Sequence, residues 1–236
     1  MDYLKHGLNA AKKAVKKILN MGYYPDIEYK CKVQTFGSDY GAWGVPAGFV
    51  NGYSIVYSFG VGEDISFDLE LIDNFGVDIY AFDPTPKSIS WINKQNLSSK
   101  FKFYSVGLAG FDGDAVFVPP DNPAFVSYKI KTGQEASSQF TFPVKRLATI
   151  MEELGHVRIN VLKMDIEGAE YAVIEDLRET GIRPEVILIE FHHRWPEFGM
   201  EATRRALHIL RQMGYQLYYV SARDEFGFLL PSNLVA

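Results

Sequence analysis

From residue 53 onward, strand-like and helix-like segments alternate, and that alternation limits what this chain can fold into. YSIVYSF (53–59) is a short β-branched and aromatic run, which reads as a strand. DISFDLELIDNFG (64–76) places Ile65, Leu69, Ile72 and Phe75 on one face and ends in glycine, which reads as a helix. The pattern repeats with VDIYAFD (77–83) as strand, PKSISWINKQN (86–96) as helix and FKFYSVG (101–107) as strand. It loosens around a polar loop at 119–138, flanked by short strands in DAVFVPP and SQFTFPVK. It then resumes with a helix from about 146, a strand at 159–165 and a helix at 168–181. A strand at 185–193, a helix at 201–214 and two strands at 215–221 and 226–231 complete it. The expected fold is α/β: a Rossmann-like, seven-stranded, mostly parallel sheet with helices on both faces and a C-terminal antiparallel hairpin.

Composition agrees with this and removes some functions. The chain has 236 residues, 47% of them hydrophobic, enough for one sizeable core. Its net charge is −5 and its body has no long basic stripe, so nucleic acid is not expected as the main partner. Cys31 is the single cysteine, so no internal disulfide can form, and a reducing, cytoplasmic setting fits. No apolar run is long enough to span a bilayer. Residues 1–34 form an expected N-terminal extension ahead of a main domain at 35–236. In the extension, Leu4, Leu8, Ala11, Val15 and Leu19 line one side of an amphipathic helix, with Lys12, Lys13, Lys16 and Lys17 on its basic face. Such a helix packs on the body or makes a peripheral contact with a membrane surface or an anionic glycan.

In open α/β sheets, ligands bind beyond the carboxyl ends of the strands, so those ends carry the candidate site. After the first strand, SFGVGED supplies Gly60, Val61, Gly62 and Glu63, a turn whose backbone can approach a ligand ahead of a helix. Asp83, in AFDPTP with Pro84, follows Gly60 by 23 residues, about where a ribose diol is held. A dinucleotide site needs a third small residue, and that position is Ile65. A cofactor with a ribose and no pyrophosphate fits better, and S-adenosylmethionine is the leading choice.

The stretch VLKMDIEGAE (161–170) ends a strand in Asp165, Glu167 and Glu170. Lys163 and Asp165 share one side of the strand. Glu167 reads as an N-cap and Glu170 as its capping-box partner. Glu190 and His192, after the next strand, fall on one side of it and are expected to meet Asp165. That trio can hold a divalent cation such as Mg²⁺, or supply a general base, with His192 the base and Lys163 a further candidate. Alternatively, His192 and His193 merely cap the sheet edge. FGSDYGAWGVP (36–46), with Tyr40 and Trp43, reads either as a lid over the cleft or as an aromatic anchor.

LKMDIEGAE (162–170) resembles the LKIDVEGAE-like signature of FkbM-type methyltransferases, and the resemblance extends over about residues 35–220. It implies an S-adenosylmethionine-dependent enzyme that methylates a hydroxyl on a sugar, glycan or similar natural product. It also implies cofactor contacts at Gly60, Gly62 and Asp83, adenine contacts around Gly107 and Leu108, and Asp165 at the junction of cofactor and acceptor. Where that family often carries an acidic residue at the start of the cofactor loop, this chain has Ser58. The rival readings from the residues are a nicotinamide-dependent oxidoreductase and a nucleoside-binding module without catalysis.

Overall fold

A computed structural model of the chain describes residues 23–118, 129–130 and 140–231. The expected basic N-terminal helix and most of the expected 119–138 loop lie outside these residues. The elements run β1 (Val33–Phe36), β2 (Trp43–Pro46), β3 (Ile55–Phe59), α1 (Ser66–Phe75), β4 (Asp78–Phe82), α2 (Pro86–Ile92) and β5 (Phe101–Tyr104). They continue with β6 (Gly107–Leu108), β7 (Gly113–Val118), β8 (Lys129–Ile130), β9 (Phe140–Lys145), α3 (Leu147–Leu154), β10 (Val161–Met164) and α4 (Glu170–Thr180). The last are β11 (Val186–Glu190), α5 (Gly199–Gln212), β12 (Gln216–Val220) and β13 (Glu225–Leu229).

Seven of these strands form one sheet, in the order β5-β4-β3-β10-β11-β13-β12. Neighbours from β5 to β11 pair in parallel, and β13 alone runs antiparallel, to both β11 and β12. The expected mostly parallel sheet with a closing hairpin is therefore present. Both faces are covered, as strands buried on both sides require. On one face, α3, α4 and α5 supply Leu147, Leu177 and Leu207, which pack with Leu162, Met164 and Ile187. On the other, Phe67 and Leu71 of α1 pack with Val56, Val161 and Leu188. Lys163 belongs to that second face, since alternation puts it on the side of Val161.

Two departures from the sequence expectation shape the site. The stretch 36–46 is not simply a loop: β1 and β2 pair antiparallel around a turn at 37–42. Trp43 and Val45 are buried against the second face, and the Tyr218 hydroxyl donates to the Gly44 carbonyl at 2.8 Å. The anchor and lid readings thus belong to the two ends of one hairpin. The second departure is a separate small sheet, β6-β9-β7-β8. The strand expected at 101–107 breaks after Tyr104, and Gly107 and Leu108 join β9 instead. Among the described residues, no helix is long and apolar enough to cross a membrane.

β3 and β10 are neighbours, yet the helices that follow them leave on opposite faces: α1 on one, α4 on the other. A crevice opens where the paths diverge. Gly60 sits at its apex with φ +72°, and an added Cβ there would lie 1.6 Å from the Asp165 carbonyl oxygen. Gly76 also has positive φ, +63°, but faces open space. Gly76→Ala should therefore cost about 1 kcal/mol, the backbone strain alone. Gly60→Ala should cost about 3 kcal/mol or more, because strain and a backbone clash combine. Urea denaturation of both variants measures the difference, and equal costs would remove the clash as the constraint.

Candidate active site

The crevice widens into a cleft of about 1180 Å³, including the solvent at its mouth. Its half beside the glycine turn is built around Asp83, only 5% exposed. One carboxylate oxygen accepts the Thr85 N–H at 2.9 Å and the Thr85 hydroxyl at 2.6 Å. The other accepts the Gly62 N–H at 3.0 Å, which ties the glycine turn to the end of β4. A carboxylate has about four acceptor positions, so one remains on that second oxygen for a ligand hydroxyl. Val61 turns its side chain into the core, so its backbone serves the cleft. Glu63 pairs with Lys87 at 3.2 Å on the rim. Pro84, Gly107 and Leu108 line the next wall, where an added Cβ on Gly107 would come within 3.2 Å of Pro84. Ile65 is buried against the sheet and fills the gap that a third glycine would leave under a pyrophosphate.

Lys163 lies under the glycine turn. Its Nζ makes long hydrogen bonds of 3.5 and 3.4 Å to the carbonyls of Phe59 and Gly60, and sits 5.0 Å from the Trp43 ring centroid. Asp68, wholly buried on α1, faces the same cation; burial pushes its carboxyl up to about 6 against the pull of Lys163. Ser58 is the register neighbour of Lys163, so Asp68 brings from the helix the carboxylate that Ser58 lacks. Lys163 thus braces the glycine turn from within the cleft wall.

The acceptor half is acidic. Asp165 follows β10, Glu190 ends β11, and Glu225 begins β13 directly opposite Glu190. Three carboxylates from three adjacent strands therefore stand in a row across the sheet edge. Asp165 leaves 31% of its side chain open to the cleft, and its withdrawal from bulk water pushes its pKa up to about 6, against Lys163 and His192. Burial, then repulsion from Asp165, pushes Glu190 up to about 9. Burial pushes Glu225 up to about 7, opposed by the Ser221 hydroxyl and Arg223.

His192 does meet Asp165, with Nε2 3.9 Å from its carboxylate, but its chemistry differs from the expectation. Nδ1 lies 2.9 Å from Glu170 and Nε2 lies 3.1 Å from Glu167. Burial alone would lower its pKa; the two carboxylate bonds outweigh this and raise it to about 11. Both ring nitrogens thus face carboxylates, and a base or ligand role for Nε2 would compete with its contact to Glu167. The capping box is corrected as well. α4 begins at Glu170 after Ala169, and Glu167 has a left-handed backbone, φ 53°. Glu170, fully buried, accepts the Gly168 N–H at 2.8 Å and the His192 backbone N–H at 3.2 Å besides the ring. It is a partner for His192 more than a helix cap.

Donor atoms of Asp165, Glu190 and His192 lie within 4.8 Å of one another, the spacing of a possible cation site. Ligation by His192 would require it to lose a proton and its bond to Glu167. The expected trio is therefore close enough to hold a cation only at the cost of that bond, and no step is assigned to one.

Residues 55–217 match the family model described as the methyltransferase FkbM domain. The human probable methyltransferase-like protein 24 is 27% identical over 151 residues, 63% of this chain and 35% of that protein. Its counterpart in Rattus norvegicus is 25% identical over 155 residues, 64% of this chain and 36% of that one. The chain spans about a third of the length of these curated relatives. The crystal structure of methyltransferase FkbM from Methylobacillus flagellatus KT aligns with a TM-score of 0.49 at 16% identity, covering 76% of this chain and 44% of that one.

The acidic row gives stability a definite pH dependence. Asp165, Glu225 and Glu190 titrate near 6, 7 and 9, above the ordinary carboxylate value of about 4. Between about pH 4 and pH 9 the folded protein therefore binds more protons than the unfolded chain, so stability falls as pH rises. His192 acts with the same sign: its contribution is full below about 6.5 and is lost as pH climbs toward 11. The urea midpoint should fall from about pH 5.5 to about pH 8.5, and Glu190→Gln should flatten that slope. A midpoint that rises over this range would contradict the assignment.

Proposed function

This chain belongs to the FkbM methyltransferase family, and we propose that it transfers the methyl group of S-adenosylmethionine to a hydroxyl on a sugar, glycan or similar natural product. The observation that carries this reading is the placing of two half-sites across one crevice. A wall built on Gly62 and Asp83 faces a row of carboxyl groups at Asp165, Glu190 and Glu225.

Bound S-adenosylmethionine supplies a methyl group already activated by its positive sulfur. The protein's tasks are alignment and removal of a proton. Alignment accounts for up to about 7–11 kcal/mol of barrier lowering in favourable cases. Gly60, Gly62 and Asp83 hold the nucleoside end. Asp165, with a pKa near 6, is ionised at neutral pH yet basic enough to take a hydroxyl proton. Glu190, protonated at that pH, donates a hydrogen bond to the same oxygen or to a neighbouring hydroxyl. His192, held between Glu167 and Glu170, fixes the turn that carries Asp165. The row favours oxygen over nitrogen as acceptor, because carboxylates around an ammonium keep it protonated and without a nucleophilic lone pair.

Calorimetry should show binding of S-adenosylhomocysteine and none of NAD; the reverse result would remove the reading. Asp165→Asn should lower kcat by about 10²–10⁴ while the affinity for S-adenosylhomocysteine stays within about threefold. Wild-type turnover in that variant would exclude Asp165 as the base. EDTA should leave the rate unchanged, whereas a loss restored by Mg²⁺ would return Asp165 and Glu190 to ligand duty.

A further inference from the structure

Gly60, Gly62, Asp83, Asp165 and Glu190 all fall inside the family-matched residues 55–217. Tyr40 lies before that span, and Arg223 and Glu225 lie after it, yet all three line the same cleft. The acidic half of the cleft is therefore completed by two segments flanking the matched region.

The first segment is the turn at 37–42, which bridges the cleft and is fastened on both sides. On the cofactor side, the Ser38 hydroxyl donates to Asp64 at 2.6 Å, the Ser38 N–H to the Ser66 hydroxyl at 2.7 Å, and the Gly37 N–H to Glu70 at 3.0 Å. The Ser38 and Ser66 hydroxyls and the Ser66 N–H hold the Asp64 carboxyl below the usual range despite burial, so the anchor stays ionised. On the acceptor side, the Arg223 guanidinium donates to the carbonyls of Asp39 and Tyr40. The same guanidinium lies 5.7 Å from the centroid of the Tyr40 ring. A turn tied down this firmly nonetheless presents an aromatic side chain that is 79% exposed, at the mouth of the cleft. Trp43, three residues on, is 3% exposed, so the hairpin had the means to bury an aromatic and left this one out.

We propose that Tyr40 is an acceptor-binding residue that Arg223 positions, and that it selects a neutral, polyhydroxylated saturated ring. The C–H face of such a ring is weakly positive and matches the negative face of an aromatic side chain. Its hydroxyl edge then points down to Asp165, Glu190 and Glu225. An anionic ring is disfavoured by that acidic row, and Arg223 is already committed to two carbonyls. A flat phenol could stack on Tyr40 but would bring fewer hydroxyls to the three carboxylates. This inference rests on the methyl-transfer reading above and adds the residues that choose the acceptor.

The test has two stages. Wild-type protein with labelled S-adenosylmethionine is offered neutral methyl pyranosides and inositols, uronates, catechols and linear alcohols. Turnover concentrated on the neutral saturated rings is expected. Turnover confined to catechols, uronates or linear alcohols would overturn the acceptor class while leaving methyl transfer standing. No turnover on any hydroxyl compound, with S-adenosylhomocysteine still bound, would overturn the underlying reading and this inference with it. On the best acceptor, Tyr40→Ala and Arg223→Ala should each raise KM about tenfold with kcat within about twofold, the size of one lost stacking contact. Tyr40→Phe, which keeps the ring, should recover most of that affinity. Affinity for S-adenosylhomocysteine, measured on every variant, reports the integrity of the fold. An unchanged KM in Tyr40→Ala, or a loss in kcat alone, would remove Tyr40 from the acceptor site.

Discussion

Everything in the cleft depends on how closely β3 and β10 approach before they part. The Asp165 carbonyl occupies the space a side chain at residue 60 would need, and the Asp165 N–H in turn donates to the Phe59 carbonyl at 3.2 Å. Those two contacts set the distance between the glycine turn and the Asp165 carboxylate. The methyl transfer proposed above needs its reacting atoms within about 3–3.5 Å of each other, which a fixed backbone separation would favour.

The second organising force is charge held out of water. Asp165, Glu167, Glu170, Glu190 and Glu225 crowd one region, and unrelieved repulsion among them would open it. His192 relieves part of this by facing two carboxylates at once, and its ring lies 4.7 Å from that of Trp195, tilted by 52°. The remainder is relieved by proton uptake at Glu190 and Glu225. Beneath the glycine turn, Asp68 and Lys163 are buried too, and attraction to Lys163 offsets part of the cost of burying Asp68.

The alternation of strands and helices was legible because each element carries its own periodicity, and Gly60, Asp83 and Asp165 followed from reading the residues after each strand. The same rule hid Glu225. β13 runs against its neighbours, so the residue it delivers to the carboxyl edge is its first and not one beyond its end. The short link between β12 and β13 marks a hairpin, but not which of the two lies against β11. Glu170 was misread for a related reason. Its spacing from Glu167 satisfies a capping pattern, but a histidine 22 residues later offers a stronger partner, and only the folded turn brings it near. Asp68 escaped notice because a helix face that reads as apolar at Ile65, Leu69 and Ile72 conceals one acid matched by a buried lysine.

The position of β13 bears on how the enzyme comes into being. This strand is the last of the sheet in chain order, yet it inserts between β11 and β12, both made before it. On an emerging chain, β3, β4, β10 and the cofactor turn have their partners early, whereas β11 keeps an open edge until β13 arrives. Glu225 comes with that strand, and Arg223 just ahead of it. The acidic row across the sheet edge is therefore completed only when the last strand of the sheet is in place.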